Sequence, residues 1–291
     1  MFNIIVNSSN VSSPLNNIYT YQFKQGSIAI EEGSEMMVSS FVIPYSWYNI
    51  SAKYNNNIFK FYWPTGTTTY TPFTVTIPDG FYLQSAFNAY MQQFFITNGL
   101  YNIDGSGNNV YYFSFLSNST SYANQALLKI VPTSKPVGYS TDPTNFAGYP
   151  TTARTPYFEI LSTNNFGKYA GFTAGTYPAT PVSQITAYSV LSNITPLTTT
   201  ANALVLKCSL VNNGVSNQSD VLDAFSIGAS STTPTFGSNL SFMNNIEKWT
   251  NLSSGRYNNL IFSIVDQNLN EISILDNNIL ISVLIRNKKE K

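Results

Sequence analysis

Along most of the chain apolar residues recur at every second position, in short runs separated by clusters of Asn, Gly, Pro and Ser. Successive side chains of a strand point to opposite faces, so this alternation predicts half-buried strands. The clearest run is 203–211 (ALVLKCSLV), which puts Leu204, Leu206, Cys208 and Leu210 on one face. Leu260, Phe262 and Ile264 share another face, and Ile279, Ile281, Val283 and Ile285 form a last strand. Further strands are expected at 19–23, 36–43, 58–63, 69–77, 110–116 and 127–131, the last two placed to pair across the loop between them. Pro72 has no N–H to give a ladder, which makes 69–77 an edge or a bent strand. Many short strands with frequent turn signals predict a two-sheet sandwich or a barrel.

One segment departs from this period. In 81–97 (FYLQSAFNAYMQQFFIT), Leu83, Phe87, Tyr90, Met91 and Phe94 recur at helical spacing. Asp79 or Gly80 would start the helix, Asn98-Gly99 would stop it in a left-handed turn, and its apolar stripe would cover the open end of the sandwich. A second, shorter helical turn is expected near 165–170. Residues 132–202 are rich in Pro, Thr, Gly, Ser and Tyr and weakly periodic. They read as elaborated loops or an insertion in a sandwich made by 1–131 and 203–291.

Composition narrows the function classes. With 291 residues, 43% of them hydrophobic, the chain can bury a full core. Only 10% are charged and the formal net charge is zero, against about a quarter charged in an ordinary domain. Amides and hydroxyls stand where a free monomer keeps charges for solubility, which favours a protein packed against neighbours. The aromatic content (20 Tyr, 20 Phe) suits strands and interfaces. A single cysteine excludes an intrachain disulfide. The first residues (MFNIIVNSSNVSS) contain neither a basic region nor a long apolar run, so no signal peptide is expected. No run of apolar residues is long enough for a transmembrane helix.

The chain has no histidine, which removes the commonest general base and metal ligand. No phosphate-binding glycine motif is present. Gly105-Ser106-Gly107, between Asp104 and Asn108, reads as a hairpin turn. Asp220, Asp223, Asp266 and Asp276 are the best acids for calcium or acid–base chemistry. They are scattered singly, whereas a calcium site concentrates its oxygens, and they read as turn residues. Cys208, between Leu206 and Leu210, reads as a core thiol. Eight N-x-[ST] sequons (Asn7, Asn10, Asn49, Asn118, Asn193, Asn217, Asn239 and Asn251) are what so Asn-, Ser- and Thr-rich a chain contains by chance. No catalytic residue, metal ligand or cofactor site is expected. The only basic cluster is the tail, with Arg286, Lys288, Lys289 and Lys291 as candidate contacts for a partner or nucleic acid.

Four stretches occur in a characteristic order. Thr76-Ile77-Pro78-Asp79-Gly80-Phe81-Tyr82 leads into the helix, and Asn202 to Asn213 follows (NALVLKCSLVNN). Trp249, Leu252, Gly255 and Tyr257 come next, then Phe262 to Asn268 (FSIVDQN) with Ile274-Leu275-Asp276-Asn277 before the terminal strand. Over 58–286 this order resembles the vertex (penton) and related minor capsid proteins of virophages and polinton-like viruses. The resemblance implies a single jelly roll: all-β, two sheets face to face. It implies five copies around each icosahedral vertex, set among double-jelly-roll major capsid proteins, in a virion assembled inside the host cell. It makes 132–202 the candidate projecting insertion and implies no catalytic residues and no cofactor; the clustering of the tail's cations alone suggests that they meet a partner or the packaged DNA. Two alternatives remain open: a minor capsid protein between capsomers, and a carbohydrate-binding attachment protein.

Overall fold

The computed structural model describes residues 1–118, 120–214, 218–231, 234–244 and 246–287. Two units emerge: residues 1–47 with 200–291, and residues 48–199.

Eight of the strands described in the first unit form its framework. In chain order these are β1 (Phe2–Asn7), β2 (Ile18–Gln22), β3 (Ser34–Pro44), β4 (Ala203–Cys208), β5 (Val221–Ser226), β6 (Asn239–Met243), β7 (Asn259–Asp266) and β8 (Leu280–Asn287). One sheet has the order β1-β8-β3-β6 and the other β5-β4-β7-β2, every pairing antiparallel. That strand order is the jelly roll, in which two interleaved Greek keys form two facing sheets. The sheets close on each other through side chains of period two. Ile4 and Val6, Phe41 and Ile43, Ile281 and Val283 are buried from one sheet, and Leu204, Leu206, Phe262 and Ile264 from the other. Phe41 of β3 meets Phe225 of β5 at 5.1 Å between ring centroids and Phe242 of β6 at 5.8 Å. Two β-bulges bend the sheets, one where Ser39 stands extra against the Ser282/Val283 step and one where Leu222 stands extra against Leu206/Lys207.

The second unit, 48–199, is a separate β structure with its own core. A four-stranded sheet runs in the order Gly175–Tyr177, Tyr157–Ile160, Ile58–Pro64, Tyr70–Thr76. A three-stranded sheet runs Tyr188–Leu191, Ala123–Leu128, Phe113–Asn118. Helix α1 (Gln84–Asn98) and the short α2 (Phe166–Ala170) complete it. Pro72 lies on the edge strand, where its missing donor costs no ladder bond. The core is aromatic: Phe59, Phe61, Trp63, Phe87, Phe95, Phe113, Phe115, Phe158, Phe166 and Phe172 form one cluster. Phe59 stacks on Phe166 at 4.7 Å.

The many asparagines replace charges as the fasteners of this unit. Asn49 accepts from the Tyr82 backbone N–H and donates to the carbonyls of Tyr82 and Thr198, all at 2.8 Å. Asn56 accepts from Ser51 N–H and donates to the Asn49 carbonyl. Asn102 is fully buried, donating to Asp142 and Tyr149 and accepting from the Tyr112 hydroxyl. A neutral amide satisfies buried loop backbone without the desolvation penalty of a carboxylate.

The chain contacts draw the first boundary differently from the change of sequence texture. The texture changes at 132, but the strands and helix of 58–128 share a core with Phe158, Phe166 and Phe172, so the unit begins at Tyr48. The loop-rich stretch 132–199 is part of this unit, and it contains ordered strands at Tyr157–Ile160, Gly175–Tyr177 and Tyr188–Leu191. Helix α1 starts at Gln84 with Leu83 as its N-cap, later than Asp79 or Gly80. Phe95, outside the expected stripe, is buried with Phe87 and Met91, while Leu83 is exposed.

Candidate assembly surface

At one end of the jelly roll, β3 and β8 place Glu35 and Arg286 opposite each other across the ladder. Arg286 Nε and Nη2 donate to one Glu35 carboxylate oxygen at 3.0 and 2.9 Å. The guanidinium lies over the Trp249 ring, 3.8 Å from its centre, and Nη1 stands 3.7 Å from Glu247. Trp249 Nε1–H donates to the same Glu247 oxygen at 2.8 Å. The arginine's charge, two of its donors and its planar face are thus engaged by its own unit, an arrangement for which guanidinium is better suited than ammonium. Nearby, Asp223 accepts from Asn244 at 2.8 Å and pairs with Lys248 at 3.3 Å.

Of the four tail cations expected to meet a partner, Arg286 is therefore held by Glu35. Lys288, Lys289 and Lys291 lie outside the described residues. The four acids divide. Asp266 accepts from the backbone N–H groups of Asn268 and Asn270, both at 2.8 Å, and Asp276 from Asn278 at 3.0 Å, so both hold turns. Asp220 pairs with Lys207 at 2.8 Å at the mouth of the β4–β5 connection. Asp223 is not a turn residue: it sits within β5 and is buried, compensated by Asn244 and Lys248. Asp104 builds the same turn as Asp266, accepting from Ser106 and Asn108 N–H, and those bonds hold its carboxyl below the usual carboxylate range. Cys208 is buried and desolvation pushes its thiol up to about 11, so it stays protonated and unreactive at neutral pH. Among the described residues no group of three or more His, Cys, Asp or Glu is placed to hold a metal ion. Among them also, no helix is long and apolar enough to cross a membrane.

Away from its charged end, the outer face of the β1-β8-β3-β6 sheet is neutral. Register places Ile5, Ser282, Ser40 and Met243 in one row and Asn7, Leu280, Val42 and Ser241 in the next. None of the eight carries a charge, while Ile5, Leu280 and Met243 are exposed. The Ser282 hydroxyl is tied along the sheet, accepting from Ser39 and donating to Asn3. The outward surface combines the aliphatic Ile5, Leu280, Val42 and Met243 with hydroxyls and the Asn7 amide, the composition of a contact surface. Sequence reasoning missed this surface because it takes Ile5 from a strand not expected; the alternation of Ile4 and Val6 was the available signal.

The stretches that carry the resemblance make local joints, the first within the second unit and the others within the first. The Asp79 carboxylate accepts from Ala52 N–H at 2.8 Å, and Gly80 bridges to Ile50. Val211 bridges to Leu252, Trp249 lies under Arg286, and Gln267 accepts from Asn202 N–H at 2.9 Å. No family model matches the chain, and no curated protein matches it. Among solved structures, the chain is similar to the selenomethionine-labelled mavirus penton protein, with 10% identity, a TM-score of 0.44 and 98% of each chain covered. It is likewise similar to a chain in the cryo-electron-microscopy structure of the Sputnik virophage, with 12% identity, a TM-score of 0.39, and 99% of this chain and 98% of that one covered.

Proposed function

We propose that this chain is a structural, non-catalytic component of an icosahedral virus shell, a penton protein that forms homopentamers at the fivefold vertices. The observation that carries the reading is the jelly-roll order of the first unit together with two adjoining rows of uncharged residues on the outer face of one sheet. The order of the four sequence motifs supports the same assignment. A ring of identical subunits uses a heterologous contact that closes on itself, and the neutral face supplies one side of it. Double-jelly-roll major capsid proteins surround the ring in the virion, and the particle is assembled inside the host cell.

The test is the native mass of the purified protein. Five copies of 32.2 kDa give about 161 kDa, and the ring is expected there with fivefold views in negative stain. A species near 97 kDa, three copies, would replace the vertex reading with that of a trimeric minor capsid protein.

The basic tail is the proposed contact with packaged DNA. Because Arg286 belongs to the Glu35 cluster, the informative truncation ends the chain after Asn287 and removes Lys288, Lys289 and Lys291. Rings are expected to form normally from this variant, while purified particles retain less DNA. Particles with an unchanged DNA content would remove the tail from the mechanism.

A further inference from the structure

The second unit has a concave site of its own, made by residues other than those of the neutral sheet face. A cavity of about 270 Å³ opens between the start of α1, the Phe113–Asn118 and Ala123–Leu128 hairpin, and the segment around Pro196 and Thr198. Its floor is rigid. Asn124, almost fully buried, donates to the Ala170 carbonyl at 3.0 Å and accepts from Gln84 Nε2 at 3.1 Å. Ser192 clamps the same residue from both backbone directions, N–H at 3.1 Å and carbonyl at 2.7 Å.

The wall is apolar: Leu83 and Tyr122 stand 56% and 76% exposed, large side chains left uncovered at the mouth. Tyr122 also has φ +47°, a left-handed backbone that a bulky aromatic residue rarely adopts. Asn or Gly would hold that turn at less cost, so the backbone conformation does not itself account for a tyrosine at this position. Around the wall stand uncharged polar groups: the Gln84 and Asn118 amides and the Ser117 and Thr198 hydroxyls. No residue lining the cavity is charged.

We propose that this cavity binds a neutral hexose unit of a glycan. A pyranose presents an apolar C–H face, which matches a tyrosine ring and a leucine. It also presents hydroxyls that both donate and accept, which match amides and hydroxyls. An anionic sugar would enter without a cation to pair with, an unfavourable burial of charge. The site adds surface recognition to a shell protein and stands independently of the ring.

The experiment is saturation-transfer NMR on the full chain with the methyl glycosides of glucose, galactose and mannose and with N-acetylglucosamine, each at about 10 mM. Sialyllactose is run in parallel. At least one neutral probe is expected to bind with a dissociation constant of about 1 mM. Tyr122→Gly removes the ring while suiting the left-handed backbone, and it is expected to weaken that binding at least about tenfold with an unchanged or higher melting temperature. Tyr122→Phe retains binding. The proposal is overturned by silence from every neutral probe, by binding that survives Tyr122→Gly, or by binding confined to sialyllactose.

Discussion

Gly99→Ala is expected to lower the stability of the second unit by roughly 3 to 5 kcal/mol, whereas Gly107→Ala in the same unit costs only about 1 kcal/mol. Both glycines have positive φ, +66° and +84°, so both substitutions carry the backbone strain of an L residue in the left-handed region. They differ in what a Cβ meets. At Gly107 nothing lies within 4 Å, but at Gly99 the Asn145 carbonyl oxygen lies 1.9 Å from the new atom. That oxygen belongs to a loop docked on the C-terminus of α1. Asn145 Nδ2 donates to the Ile96 and Thr97 carbonyls at 3.0 and 3.1 Å, and Ala147 N–H donates to the Gly99 carbonyl at 3.0 Å. Helix ends leave carbonyls that need such partners, and a Cβ displaces the loop that supplies them, at about 1 kcal/mol per hydrogen bond. In a unit of this size the melting temperature falls about 2 to 4 °C per kcal/mol. Calorimetry on both variants therefore reads the difference directly, and equal shifts would mean that the loop yields without cost.

The same region shows what the sequence makes legible. Asn98-Gly99 marks the helix stop on local chemistry alone, because only a residue free of Cβ strain sits easily at φ +66°. Period two placed Leu204, Leu206, Cys208 and Leu210 on one face, and all four are buried. Asp104-Gly105-Ser106-Gly107-Asn108 declared its turn, which links the paired strands Tyr101–Ile103 and Asn109–Tyr111. Long-range partition was not legible. The boundary at Trp47/Tyr48 depends on which core Phe59 and Phe61 join, and their alternation is the same whichever unit receives them. Asp223 reads locally as a turn acid because the Asn244 and Lys248 that compensate it arrive from another part of the chain. Arg286 reads as the first charge of a basic tail, yet its partner Glu35 lies 251 positions away. The neutral outer sheet face escaped for a related reason. Ile5, Leu280, Val42 and Met243 come from four strands, and only the β1-β8-β3-β6 order makes them neighbours.

That order also allows folding and assembly to be separated by two substitutions on opposite faces of one sheet. Phe41 is fully buried, paired in register with Ile281 of β8 and Phe242 of β6, and in ring contact with Phe225 of the facing sheet. Phe41→Ala empties the centre of the jelly roll and is expected to cost about 3 to 5 kcal/mol, the range for deleting a core aromatic ring. The aromatic contacts to Phe225 and Phe242 place it toward the upper end. Hydrogen exchange is expected to lose protection in β5, β6 and β8, the strands whose Phe225, Phe242 and Ile281 lose their packing partner. Met243 sits two residues beyond Ser241 on the outer face and is 70% exposed. Met243→Lys removes no packed surface and is expected to change stability by less than about 0.5 kcal/mol. It nevertheless sets a charge in the row shared with Ile5, where a neighbouring copy would have to desolvate it. The expected pair of results is a destabilised chain from Phe41→Ala, and from Met243→Lys a chain that melts normally but no longer gives the species of about 161 kDa. If Met243→Lys still assembles, the ring contact lies on another surface of the jelly roll, and the neutral face must be assigned to a different neighbour in the shell.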